Sequence, residues 1–188
     1  MTTGQWMLSD EGVRWWFDSG TVALDFAYAG GFGETPESLL SPEALGSWLA
    51  TRYPEVAQAA SEGDLRDARA LQSALARAVV AQSQNEPADA ADIDVINLFA
   101  ATPDIPPSLD GGSRQAGRTR ARPAQALSAI ARDSIELFAP GNTDRIRQCA
   151  ADDCDLIFYD ESRSNNRRWC SMQRCGNRAK VRAHRARA

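Results

Sequence analysis

Apolar residues recur every three or four positions along 63–84. Leu65, Ala68, Leu71, Leu75, Ala78 and Val79 form one stripe, which predicts a long amphipathic helix. Ser41-Pro42-Glu43-Ala44 predicts a helix start, with serine as N-cap and proline at the first helical position. Leu45, Trp48 and Leu49 are its apolar face, and Pro54 bounds it. Two more helices are predicted. One covers 89–101, with Ile93, Ile96 and Phe99 inward, and is ended by Pro103, Pro106 and Pro107. The other covers 123–138, with Leu127, Ile130, Ser134 and Leu137 inward. The segment 15–28 shows a different period. Val22, Leu24 and Phe26 alternate with Ala23, Asp25 and Ala27 after an Asp18-Ser19-Gly20 turn, which predicts a hairpin. A second hairpin is predicted over 105–122, around Asp110-Gly111-Gly112. Pro140-Gly141-Asn142 marks the best break, dividing the 188 residues into 1–142 and 143–188.

Charge sharpens that division. The formal net charge of −4 would speak against a polyanionic partner if it were evenly spread. It is not. Residues 1–142 carry 10 Arg against 19 acids, and residues 143–188 carry 10 Arg and 1 Lys against 6 acids. No acid follows Glu161, but nine basic side chains do. The longest apolar runs fall far short of the roughly 20 residues needed to cross a bilayer. Met1 to Asp10 lacks the basic and apolar regions of a secretion signal, which points to the cytoplasm.

All four cysteines lie in the basic quarter, as Cys149-x4-Cys154-x15-Cys170-x4-Cys175. Two pairs of thiols separated by a short insert suit tetrahedral Zn²⁺, which takes sulfur ligands at about 2.3 Å. A module this short has little core, so a structural metal would substitute for one. Cys170→Ser is then expected to lose the metal and unfold the last quarter while sparing the first domain. Two disulfides are the alternative, disfavoured by the absence of a secretion signal. Four thiolates close the coordination shell, which argues against catalytic zinc. His184 is the only histidine.

After Cys175 the chain reads as a basic helix from about Asn177. Arg178, Arg182 and Arg185 lie on one face, with Lys180, His184 and Arg187 beside them. Like charges at this spacing destabilise an isolated helix, and phosphates would relieve the repulsion. Arg163, Arg167, Arg168 and Arg174 extend the surface. The alternatives are a solvated tail and a tail docked on the acidic domain.

The run Cys149-x4-Cys154, Phe158-x-Asp160-x-Ser162, Arg167-Arg168-Trp169-Cys170-Ser171-Met172 and Cys175-Gly176-Asn177-Arg178-x-Lys180 resembles the CGNR zinc finger family. Gly20-x-x-Ala23-Leu24-Asp25-Phe26 and Ser41-Pro42-Glu43-x-Leu45-x-x-Trp48-Leu49 are similar to the ABATE domain that usually precedes this finger. The sequence departs at Ala27-Tyr28-Ala29, where that family often has Asn-Thr. The resemblance implies a bacterial, stress-linked transcription regulator that binds DNA through the finger. In physical terms, Gly176 would allow a tight turn after the last ligand, and Asn177 would cap the helix. Asp160 would pair with Arg167 or Arg168. Trp169 and Phe158 would pack over the metal or, alternatively, stack on a base.

The fold expected is α+β. A mainly helical domain with a small β-hairpin or sheet precedes a treble-clef-like or ribbon-like zinc finger ending in a helix. The expected ligands of one Zn²⁺ are Cys149, Cys154, Cys170 and Cys175. The expected nucleic-acid contacts are Arg178, Lys180, Arg182, Arg185, Arg168 and Arg174. Residues 1–142 hold no Cys or His and no phosphate-loop motif, so no enzyme is expected. The loop 30–33 lacks a dinucleotide fingerprint. Trp15, Trp16 and Trp48 read as core. Asp25 is either a buried, perturbed carboxylate, hence a candidate ligand contact, or points to solvent from a strand. DNA is the expected partner, with RNA or an acidic protein as alternatives, no membrane, and a homodimer compatible with the domain.

Overall fold

The computed structural model describes residues 3–8, 12–28, 39–56, 59–107 and 121–186. The loop 30–33 and the centre of the predicted second hairpin lie outside them. A two-stranded antiparallel hairpin opens the fold, with β1 (Gln5–Leu8) paired to β2 (Arg14–Phe17) and Trp6 opposite Trp16. Five helices follow among the described residues: α1 (Val22–Tyr28), α2 (Pro42–Arg52), α3 (Glu62–Ser83), α4 (Ala90–Ala100) and α5 (Pro123–Leu137). A second small hairpin, β3 (Ile146–Gln148) with β4 (Ile157–Tyr159), leads through a π-helical turn at Met172–Gly176 into α6 (Asn177–Arg185).

The caps explain the helix starts. Ser41 accepts a hydrogen bond from the Ala44 amide at 3.2 Å, ahead of Pro42. Ser61 and Asp64 form a reciprocal capping box on α3. The α3 stripe is buried as predicted, as are Leu127, Ile130, Ser134 and Leu137 of α5. In α4 the stripe is rotated from the prediction. Ile93 is 44% exposed, and Asp92, four residues before buried Ile96, faces inward. Asp92 is tolerated there because the Arg77 guanidinium of α3 pairs with both its oxygens.

The largest departure is 22–28, expected as a strand and found as helix α1. All seven of its residues are buried. Val22, Phe26 and Ala27 face the helical core, while Ala23, Leu24 and Tyr28 face a second core. A helix covered on both sides shows no 3.6-residue stripe, so a chance alternation dominated the pattern. Its N-terminus is held by Thr21 Oγ1, which accepts from the Leu24 amide at 3.1 Å, and by Asp133, which accepts from the Ala23 amide at 2.7 Å. The predicted strand Trp15–Phe17 does exist, but it pairs backwards with β1. Trp15 and Phe17 point inward, and Trp16 is 40% exposed rather than core. Trp48 is partly buried against the helical core.

The second core joins the two ends of the chain. Trp15, Phe17, Ala23, Leu24, Tyr28, Val79 and Leu137 pack with Ile146, Ile157, Phe158 and three cysteines, Cys149, Cys170 and Cys175. Polar bonds fix the same seam. The Tyr159 amide donates to the Ser19 carbonyl at 2.8 Å, and Arg167 Nη2 donates to the Asp18 carbonyl at 2.8 Å. The Ile157 amide donates to the Tyr28 hydroxyl, which gives this tyrosine a role at a position that departs from the family pattern. Tyr28→Phe leaves that buried amide without this acceptor. The expected loss is about 1–3 kcal/mol, measured by chemical denaturation.

Asp25 is fully buried, which overturns the solvent-pointing reading. It accepts from the Ser19 hydroxyl and the Gly4 amide, each at 2.7 Å, and lies 3.6 Å from Arg52 Nη2. Burial outweighs these partners and raises its pKa. The folded carboxyl therefore holds its proton to higher pH than the unfolded one, whose pKa is about 3.9. That stabilisation is complete below the unfolded value and is lost as pH rises through the folded one. The stability deficit of Asp25→Asn relative to the natural chain should shrink as pH rises across that window. Denaturation curves at stepped pH would show it, and a deficit that grows would contradict it.

Candidate zinc centre and basic surface

Two knuckles present the four thiols. Cys149 follows β3, and its amide donates to the Leu156 carbonyl at 2.7 Å, closing the first loop; the Cys154 amide donates to the Ala151 carbonyl at 3.1 Å. Cys170 follows the insert, and Cys175 lies within the π-helical turn. The Cys170 amide points at the Cys149 sulfur, 3.4 Å away. All four Sγ atoms lie within 4.8 Å of one another. The Cys154–Cys170 separation is 3.7 Å and the Cys170–Cys175 separation 3.4 Å. A disulfide requires about 2.05 Å, and all four cysteines are free. A ZnS₄ tetrahedron with 2.3 Å bonds has edges of about 3.8 Å, so the donor set fits one structural zinc ion.

The electrostatics agree. Hydrogen bonds from Cys154 and Cys170 pull the Cys149 thiol below its ordinary range, and hydrogen bonding to Cys149 pushes Cys154 up. Four crowded sulfurs cannot all ionise without a cation among them, and a divalent metal supplies it. Arg178 Nη2 donates to Cys175 Sγ at 3.1 Å and adds positive charge at the edge of the cluster.

The insert is held by main-chain bonds rather than by the expected ion pair. Asp160, fully buried, accepts from the amides of Ser162 at 2.9 Å and Arg167 at 2.7 Å. The Arg167 guanidinium instead donates to the carbonyls of Asp18, Trp169 and Cys170 and lies over the Phe158 ring at 4.1 Å. Phe158 is core, and Trp169 is half-buried beside the cysteines. Gly176 has φ −63°, so no tight turn requires it. Space is a weak demand as well: an added Cβ would lie 2.7 Å from Met172 Sδ, the flexible end of an exposed side chain, and 3.3 Å from Trp169 Cδ1. Asn177 is not the N-cap, because helical winding begins earlier, after Ser171, whose hydroxyl accepts from the Gln173 amide. Asn177 Nδ2 donates to the Gln173 carbonyl.

The predicted basic contacts separate into two groups. Arg163, Arg168, Lys180 and Arg185 are exposed, and Arg174 lies over the Trp15 ring at 4.8 Å. Arg178 and Arg182 are drawn to the first knuckle. Asp153 accepts from Arg178 at 2.8 Å and from Arg182 at 3.3 Å, and Asp152 lies 3.6 Å from Arg182. Sequence reasoning missed this pairing. The signal was present in two adjacent acids between the first two cysteines. The α6 ion pairs among the described residues thus stay within the finger rather than reaching the acidic domain.

A four-thiol zinc module whose core is shared with a helical domain defines a zinc-finger protein of mixed α and β structure. The family model of the CGNR zinc finger matches residues 145–188. The ABATE model, described as a putative stress-induced transcription regulator, matches residues 20–141. That match covers more than half the chain, and the protein belongs to the ABATE family with a C-terminal CGNR zinc finger. Neither is an enzyme family. No curated protein matches the chain. No described helix is long and apolar enough to cross a membrane.

Proposed function

We propose that this protein is a DNA-binding transcription regulator. Residues 143–188 form the DNA-contacting module, and 1–142 a sensor or dimerisation module that acts in the cytoplasm. The observation that supports the reading most is an acid-free, solvent-facing run of cations anchored directly on the zinc cluster. Arg163, Arg168, Lys180 and Arg185 are exposed there, with Arg174 beside them. Such a surface exchanges condensed counterions for phosphates. Arg178 and Arg182 contribute after release from Asp152 and Asp153.

The test is a titration of duplex DNA at several salt concentrations with the zinc-loaded chain. Lys180→Ala with Arg185→Ala should weaken binding about equally across sequences and reduce the log–log salt slope by about 2. An unchanged slope would remove these two from the interface. Asp153→Asn should have the opposite effect. It removes the acid partner of Arg178, leaves Arg182 with Asp152 alone, and is expected to tighten binding several-fold at low salt. Weaker binding of a zinc-replete Asp153→Asn protein would instead mean that Asp153 orients the two arginines productively.

A further inference from the structure

A cleft of about 610 Å³ opens between β2 and the finger. Trp16 and Asp18 contribute one side, and residues 166–173 the rest, including Arg168, Trp169 and Met172. Its volume falls within the range of ligand-binding clefts, and it sits where two modules meet. Trp16 is 40% exposed, and Trp6, which lies outside the cleft lining but in edge contact with Trp16 at 5.4 Å, is 59% exposed; Trp169 is partly buried, packed on the cysteine core. Cations accompany these rings. Arg14 lies over Trp6 at 5.0 Å, and Arg168 over Trp169 at 5.1 Å. The cleft rim also carries groups that read edges. Asn166 and Gln173 offer both donors and acceptors, and Asp18, whose Oδ1 serves Thr3 and Gly20, offers a further acceptor.

Exposed aromatics interleaved with arginine, in an open groove whose last lining residue, Gln173, lies four positions before the start of a basic helix, are what an unstacked base and its flanking phosphates require. Duplex DNA cannot use the rings, because its bases are already stacked. A purely apolar ligand would not use the cations. We propose that this cleft takes an unpaired nucleobase, stacked against Trp16 and Trp169, while Arg168 and the α6 cations hold the neighbouring phosphates. The inference rests on the nucleic-acid-binding reading above and adds to it a preference for single-stranded segments.

The experiment uses the zinc-loaded full chain and fluorescence anisotropy. Labelled oligothymidine and oligouridine of about 15 nucleotides, and a DNA duplex of equal length, are titrated at one salt concentration. Binding of the single strands should weaken about tenfold in Trp16→Ala and stay near the natural value in Trp16→Phe. Duplex affinity and zinc content should be unchanged in both. The ratio of the deoxy to the ribo strand then identifies which nucleic acid supplies the base. Single-strand affinity indifferent to Trp16→Ala, or falling no more than duplex affinity, overturns the cleft assignment while leaving the duplex-binding reading standing. Failure of all three probes to bind at low salt overturns both.

Discussion

Cys170→Ser is expected to empty the zinc site and to unfold more than the finger. Zinc binding to a four-ligand module contributes on the order of 10 kcal/mol, as much as the entire net stability of an ordinary domain. From spacing alone the damage would stop at the last quarter. The second core says otherwise, because Cys149, Cys170 and Cys175 pack in one cluster with Phe17, Leu24, Tyr28 and Leu137. Without the metal, the finger-facing side of α1 and the inner face of β2 lose their cover. Hydrogen exchange read by mass spectrometry should show protection lost over residues 15–28 as well as 146–176, with zinc content near zero. Strong chelator on the natural chain should reproduce the pattern. Native protection of α1 in the metal-free protein would show that the shared core is energetically minor.

Gly20→Ala has the second largest expected effect, and it leaves the zinc ligands untouched. Gly20 has φ +93°, where a side chain is strained. An added Cβ would also stand 2.6 Å from the Tyr159 carbonyl oxygen. That oxygen is main chain in β4 and cannot swing aside as a side chain would. The substitution must therefore push β4 from the 18–20 turn, stretching the bond between Ser19 and the Tyr159 amide. A loss of about 2–4 kcal/mol is expected, or roughly 5–15 °C in Tm for a chain of this size. Gly141→Ala is the control: it has φ +92° but open space around the added carbon. It should cost only the conformational part, about 1–2 kcal/mol. Equal losses at the two positions would deny the close approach its weight.

Much of the helical domain was legible because its signals are local. Ser41-Pro42 and the Leu65 to Val79 stripe specify α2 and α3 without reference to anything distant, although the local Ser61–Asp64 capping box that starts α3 went unread. The zinc ligands were legible for a similar reason, since their identity and spacing carry the chemistry. What escaped depends on long-range contact. Helix α1 is buried on opposite sides by two different cores, so its pattern had no polar face. Asp92 had no place in the predicted inward face of 89–101, and it is accommodated there because packing of α3 on α4 brings Arg77 to it. Gly176 lies in helical backbone at φ −63°, so the turn suggested by its place after the last cysteine does not form. The basic helix was legible as a charge pattern. Its division into free cations and cations held by Asp152 and Asp153 was not, because 24 or more residues separate the partners along the chain.

On the proposed reading, the acid-free run after Glu161 forms a phosphate-binding surface built on zinc. Its most direct test is the affinity of the zinc-loaded full chain for duplex DNA across a salt series. Five cations among the described residues, Arg163, Arg168, Arg174, Lys180 and Arg185, predict a log–log slope of about −4.5, steeper where Arg178 and Arg182 are released to join them. The slope should vanish with the binding when the metal is removed. Binding that is absent at low salt, or that does not vary with salt, would contradict the account.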